Sequence, residues 1–197
     1  MVIYGTSLSY HLAPHLREAL VERFVQRISL INAGMAAKAS RTALQELDYR
    51  VLRHHPDVVL LEFAVNDAYS YEEFEPQPLD KGITLSESRT NLELLIQRIS
   101  AALPACEVVL QTMNPTYDAA GGVFAGSRRP RLNEFYEVYR EVASEQGLRR
   151  IDNHAMWKAL QEHDPLQFEQ MVPDGAHPKP AAIRDVLVPH VLKRLLS

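Results

Sequence analysis

Several features that are scarce in this chain of 197 residues limit what it can be. Its single cysteine, Cys106, excludes an internal disulfide framework, and its place at the start of an apolar run favours inert burial over a reactive thiol. No apolar run approaches the ~20 residues that a membrane-spanning helix needs. The net charge is -4 and no run is rich in lysine and arginine. Nothing therefore indicates nucleic acid as a partner.

The residues that are present make an ordinary globular composition. Hydrophobic residues account for 46% and charged residues for 23% of the chain, and this length is enough for one domain with a sizeable core. We therefore expect a single domain over residues 1–197. No signal peptide is visible, which favours the cytoplasm, although a trimmed secreted chain would look the same.

Apolar runs and helical spacing alternate along the chain. The predicted strands are 2–5, 29–33, 57–64, 107–112 and 148–152. The third and fourth are apolar without alternation, which is typical of strands covered on both faces. The predicted helices are 12–25, 37–54, 86–103, 133–146 and 180–196, and Pro189 should kink or split the last. This alternation predicts a doubly wound, three-layer α/β/α domain around a parallel sheet.

Two longer irregular stretches follow predicted strands. Residues 69–82 are acidic, and residues 114–131 contain Arg128, Arg129 and Arg131. Open α/β sheets place their sites at the carboxyl ends of strands, so both stretches are candidates for substrate walls or lids. The arginines could grip an acidic substrate, but a solvated loop is the simpler interpretation.

Two motifs near the ends of the chain contain the side chains of a Ser-His-Asp site. Ser7 follows the first predicted strand, where a strand-to-helix turn would expose its hydroxyl, although a serine there could equally be a helix N-cap. Asp174 lies three residues before His177, so one turn can bring the carboxylate to the imidazole; a plain surface turn is the alternative. Together they supply a nucleophile, a base and a group that orients the base.

Two further motifs lie between them. Gly34 ends the second predicted strand, where its N–H could stabilise an oxyanion or simply form a turn. Asn66 ends the third, where its amide could be another oxyanion donor or form an Asx turn. Because the carboxyl ends of parallel strands share one sheet edge, all four motifs can converge there.

This ordered set of motifs resembles the SGNH (GDSL-type) hydrolases, named after Ser, Gly, Asn and His in four sequence blocks. The corresponding blocks here are 5–8, 32–34, 65–67 and 174–178. Two positions depart from the family pattern: Thr6 replaces the Asp of Gly-Asp-Ser, and Ala64 stands where the third block usually has Gly. Neither departure removes a catalytic group, although Ala64 could narrow the pocket.

The resemblance implies a flavodoxin-like sheet of about five parallel strands and a serine esterase that uses no cofactor and no metal. Ser7 would be the nucleophile, His177 the base and then acid, and Asp174 the residue that orients His177. The oxyanion hole would consist of the N–H groups of Ser7 and Gly34 and the side chain of Asn66.

The implied partner is a small-molecule ester with a short acyl chain. By analogy with the family, O-acetyl groups on carbohydrates are the first candidate substrates. Acyl transfer to an alcohol or sugar is one alternative, and a non-catalytic binding module on the same fold is another. The oligomeric state is left open.

Other residues allow competing interpretations. His11 and His15 have a spacing that can bind zinc, but without a third ligand a solvated helix face is the better explanation. Tyr117, Phe124 and Trp157 could stack on a sugar ring or pack internally, and Trp157 is the best candidate for the core.

Overall fold

The structure, a computed structural model, describes residues 1–24, 28–69, 82–120 and 126–197. The strands are β1 (Val2–Gly5), β2 (Ile31–Asn32), β3 (Val58–Glu62), β4 (Glu107–Thr112) and β5 (Arg149–Asp152). They form one sheet in the order β2-β1-β3-β4-β5, with every neighbouring pair parallel. This is the flavodoxin-like order of doubly wound folds. The predicted fold class is therefore confirmed.

Helices connect the strands and close the chain. The α-helices of the described residues are α1 (Ser7–Phe24), α2 (Ser40–Arg50), α3 (Ala64–Asp67), α4 (Leu85–Ala102), α5 (Leu132–Glu145), α6 (Asn153–His163), α7 (Pro165–Met171), α8 (Pro180–Ala182) and α9 (Val188–Leu195). The prediction missed α3, α6 and α7 and placed the start of α1 too late. Within the described ranges, none of the helices is long and apolar enough to cross a membrane.

The helices form a layer on each side of the sheet. Helices α1 and α9 pack together on one face, and α2, α4 and α5 form the other layer. Val59, Leu60 and Leu61 of β3 are all completely buried, as predicted for a strand covered on both faces. Trp157 is also completely buried, with its ring edge-on to Phe168. Trp157 is therefore a core residue.

Around Pro189 the C-terminal helix is distorted rather than split, since it stays helical from Pro180 to Leu195. Helix α8 continues into a π-helical turn, Ile183–Leu187, and α9 begins at Val188. A proline lacks the N–H that an uninterrupted helix would use, and the wider turn before it accommodates that loss.

A second proline, Pro14, lies inside α1. Because it has no N–H, it cannot donate to the carbonyl of Tyr10 four residues earlier. The Asn32 side chain takes this place, with its Nδ2 2.9 Å from the Tyr10 carbonyl oxygen. The other end of the same amide, Oδ1, accepts the Gly34 N–H at 3.0 Å. Asn32 therefore ties the loop after β2 to the gap that Pro14 leaves in α1.

Candidate active site

Ser7 occupies the first position of α1, directly beyond the end of β1. Thr6 caps the helix: its carbonyl accepts the Tyr10 N–H at 3.0 Å, and its hydroxyl oxygen accepts the Leu8 N–H at 3.3 Å. The alternative in which Ser7 is the N-cap is therefore wrong. A first-turn N–H has no partner within the helix and lies at the positive end of the helix dipole, so the Ser7 N–H is suited to face a developing negative charge.

The structure brings the three predicted catalytic side chains into one line. Ser7 Oγ lies 2.9 Å from Nε2 of His177. On the other side of the ring, Nδ1 of His177 lies 2.7 Å from Oδ2 of Asp174. Oδ1 of Asp174 accepts the backbone N–H groups of Ala176 and His177 at 2.9 and 2.6 Å. The Asp174 carboxylate therefore fixes both the imidazole and the turn that carries it.

The turn that carries His177 is held by the segment after β4. Gly175 has a φ of 81°, in the left-handed region that favours glycine. The Tyr117 N–H donates to the Gly175 carbonyl at 3.0 Å, and Asn114 Nδ2 donates to the Ala176 carbonyl at 2.8 Å. These bonds anchor the C-terminal motif beside the strand ends, where it meets Ser7.

Hydrogen bonding controls the charge state of Asp174. Partial burial raises the pKa of its carboxyl, but bonds from the backbone N–H groups of His177 and Ala176 and from the imidazole outweigh burial. The pKa of Asp174 is therefore below its usual value, and the group is ionised at neutral pH. For His11, burial and the neighbouring His177 both lower the pKa, which favours a neutral imidazole.

Two exposed rings extend from the site along α1. The His11 ring lies edge-on to His177 at 5.9 Å between centroids, and Tyr10 lies edge-on to His11 at 5.6 Å. Tyr10 is 52% exposed. Sequence reasoning weighed His11 as a metal ligand or as part of a solvated helix face, and it did not single out Tyr10. A signal was present, because residues three and four positions after Ser7 share its helix face.

The predicted oxyanion donors already make bonds within the protein. One N–H of the buried Asn66 amide donates to the Lys38 carbonyl at 2.8 Å, which leaves the amide a second N–H. The Gly34 N–H donates to Asn32 Oδ1. A Cβ at Gly34 would lie 2.5 Å from the Tyr10 Cα, so close packing against α1 requires glycine there.

The loop between Gly34 and α2 contains a strained residue that sequence reasoning did not single out. Ala37 has a φ of 56°, which is sparsely populated for a residue with a side chain. It directly precedes Lys38, whose carbonyl receives the Asn66 amide. Such conformations concentrate at functional sites, and nothing in the pattern of alanines around Ala37 signals one.

The other residues predicted as possible sugar-stacking rings or metal ligands are Tyr117, Phe124 and His15. The Tyr117 hydroxyl donates to the Val172 carbonyl at 2.7 Å and the Tyr117 ring packs near Phe168, so this tyrosine supports the loop. Phe124 lies outside the described residues. His15 is half-buried on α1, and no cluster of three or more potential metal ligands occurs in the part of the chain that the structure describes.

The arginine-containing loop is not simply solvated. Arg129 is only 5% exposed, and its Nε donates to the Val65 carbonyl at 2.9 Å, next to Asn66. For this residue the expectation of a solvated side chain is wrong. Arg131 is exposed and paired with Glu134, as expected. Of the acidic stretch 69–82, residues 70–81 lie outside the described residues.

Comparison with known proteins places this geometry in a family. The model of the GDSL-like lipase/acylhydrolase family matches residues 3–184. An arylesterase of Vibrio mimicus is 27% identical over 167 residues, which cover 85% of this chain and 70% of that protein.

Solved structures agree with this placement. A lipase/acylhydrolase from Enterococcus faecalis has a TM-score of 0.75 at 25% identity, with 98% of this chain and 93% of that chain covered. An acetylxylan esterase from Geobacillus stearothermophilus has a TM-score of 0.79 at 16% identity, with 98% and 92% covered. At that identity the second likeness shows the fold alone.

The sheet, the site at its carboxyl edge and these relatives define a carboxylic ester hydrolase. The chain belongs to the GDSL-like lipase/acylhydrolase family, in which a catalytic triad and an oxyanion hole are typical. It is therefore an enzyme rather than a binding module.

Proposed function

We propose that this enzyme hydrolyses esters through an acyl-enzyme formed on Ser7. The hydrogen-bonded line from Ser7 through His177 to Asp174 carries this proposal. His177 Nε2 takes the proton of the Ser7 hydroxyl as Oγ attacks the ester carbonyl, and then gives it to the departing alcohol. Asp174 stabilises the imidazolium formed in between. Water, activated by His177, then releases the acid and restores Ser7.

The negative charge that develops on the carbonyl oxygen needs preorganised donors. We assign this role to the Ser7 N–H at the start of α1, the second N–H of the Asn66 amide and the Gly34 N–H. For Gly34, the N–H must be shared with, or released from, Asn32 Oδ1 when the oxyanion forms.

For the substrate, we propose O-acetyl groups on carbohydrates. The exposed ring of Tyr10 lies on the same helix face as Ser7, and its apolar surface suits the flat face of a sugar ring. The fold shared with an acetylxylan esterase from Geobacillus stearothermophilus is consistent with this substrate class.

A series of p-nitrophenyl esters tests the acyl specificity. We expect hydrolysis of the acetate, with kcat/KM falling by about tenfold or more towards long acyl chains because a short-acyl pocket rejects added methylenes. A preference for long chains would contradict the acetyl assignment. If an added alcohol traps the acyl group in preference to water, acyl transfer replaces hydrolysis as the activity.

Tyr10→Ala tests the carbohydrate assignment. With an acetylated xylo-oligosaccharide we expect KM to rise about fivefold to tenfold, because a stacked aromatic contributes on the order of 1 kcal/mol. Tyr10→Phe keeps the ring and should retain the native KM. Tyr49→Ala is the matched control. Tyr49 is 61% exposed and lies on α2, away from Tyr10 on α1, with the Arg53 guanidinium over its ring. Equal KM values for Tyr10→Ala and the native enzyme would contradict the stacking role.

A further inference from the structure

A completely buried carboxyl group, that of Glu62, lies at the carboxyl end of β3. Four donors converge on it. Its Oε2 accepts the Thr6 hydroxyl at 2.8 Å, the Thr6 N–H at 3.3 Å and the Ser9 hydroxyl at 3.4 Å, and its Oε1 accepts the Val65 N–H at 3.3 Å. Burying a carboxylate costs free energy unless it is fully hydrogen-bonded, so an apolar residue would be the simpler choice for a strand end.

The two oxygens of Glu62 face two different parts of the site. Oε2 binds Thr6, which immediately precedes Ser7, and Oε1 binds Val65, which immediately precedes Asn66. One rigid carboxyl group therefore joins the turn that presents the nucleophile to the turn that presents the amide. Sequence reasoning missed this link because a glutamate at the end of an apolar run is usually solvent-exposed.

We propose that Glu62 is a positioning residue that fixes Ser7 and Asn66 relative to each other. It therefore sets the distance between the attacking oxygen and the oxyanion donors without touching the substrate. This inference rests on the proposed roles of Ser7 and Asn66. It also explains Thr6, the departure from the family pattern, as the residue whose hydroxyl reaches the Glu62 carboxyl.

The pKa of Glu62 is the net of opposing influences. Burial and, more weakly, the nearby Asp67 carboxyl raise it, the hydrogen bonds from Thr6 and Val65 lower it, and the net pKa is about 7. The ionised form is the one that accepts all four donors at once. Each carboxyl oxygen also faces a backbone N–H, which cannot rotate away.

Glu62→Gln is therefore an informative change of nearly constant shape. An amide has one acceptor oxygen and one NH₂ group. In either orientation its NH₂ must face a backbone N–H, that of Thr6 or that of Val65. The amide therefore repels either the turn that contains Thr6 or the turn that contains Val65, although the side chain at position 62 keeps nearly the same volume.

The experiment compares steady-state hydrolysis of p-nitrophenyl acetate with the rate at which an organophosphonate labels Ser7. For Glu62→Gln we expect kcat to fall on the order of 10²-fold with KM within about twofold, because small misplacements of reacting groups cost this much. Labelling should slow in parallel. Thr6→Val removes the hydroxyl that donates to Glu62 and accepts the Leu8 N–H; it should lose about tenfold in kcat, and Thr6→Ser, which keeps both bonds, should recover most of it.

Asp152→Asn is the control for a merely structural effect. The Asp152 carboxylate binds Thr112 and Arg140 at the end of β5, so the change should lower the Tm and leave kcat unchanged. A folded Glu62→Gln enzyme with kcat and labelling within threefold of native would overturn the proposal. If that variant does not fold, a native kcat in Thr6→Val would overturn it instead. A native enzyme that neither hydrolyses the ester nor reacts with the phosphonate would overturn the function proposed for Ser7 as well.

Discussion

Ser7→Ala should lower kcat/KM for p-nitrophenyl acetate by about 10³-fold or more. The change removes Oγ, which lies 2.9 Å from His177 Nε2 and carries the acyl group in the proposed mechanism. Ser7 is in the first turn of α1, and alanine is well tolerated in helices. The folded structure and its Tm should therefore be nearly unchanged. The measurement is the initial rate of p-nitrophenol release, with thermal unfolding followed in parallel.

The control for this result is Ser86→Ala. Ser86 is exposed and lies in the first turn of α4, so its helix context is similar and the variant should keep full activity. Organophosphonate labelling gives an independent check, because native protein should react and Ser7→Ala should not. Equal rates for native enzyme and Ser7→Ala would place the nucleophile elsewhere.

Asp174→Asn should lower kcat by about 10³- to 10⁴-fold, although it changes only one atom. The remaining oxygen can still accept the N–H groups of Ala176 and His177. The new NH₂ group, however, would face Nδ1 of His177, which must then be an acceptor. The ring proton moves to Nε2, which can no longer take the proton of Ser7. A pH–rate profile of p-nitrophenyl acetate hydrolysis gives kcat at each pH.

Asp185→Asn is the matched control for Asp174→Asn. Asp185 is an exposed carboxylate paired with Arg184 in the π-helical turn, so its amide should retain native kcat and Tm. If the loss of kcat in Asp174→Asn were accounted for by unfolded protein, as judged from its Tm, the carboxylate would only hold the turn. Native activity in a folded Asp174→Asn enzyme would remove it from the proposed triad.

The strands were largely predictable because the sheet buries both of its faces. β1 and β4 have the predicted bounds, 2–5 and 107–112. β2 is shorter than the predicted 29–33 and, as an edge strand, pairs only with β1. β3 ends at Glu62 instead of 64 because the chain there turns directly into α3.

Helix ends were harder to predict. Helix α1 begins at Ser7, five residues before the predicted start, because its N-cap is Thr6, which sequence reasoning did not consider. Helices α6 and α7 were missed although both begin with a typical aspartate N-cap. Asp152 accepts the Ala155 N–H in α6. Asp164, which directly precedes Pro165, accepts the Gln167 N–H in α7.

The line of Ser7, His177 and Asp174 could be anticipated because parallel strands end at one edge and the motifs occur in order along the chain. The bonds from Thr6 and Ser9 to Glu62 could not. They depend on which groups face each other across the sheet edge, and local sequence does not encode that.

Pro14 and Asn32 show that a local defect in one element can be the attachment point of another. A helix with alanine at position 14 would regain an N–H that competes with Asn32 for the Tyr10 carbonyl. The substitution that improves α1 taken alone would thus release the loop that contains Gly34. Local and global optimisation conflict at this position, and a redesign that scores each helix separately would choose the wrong residue.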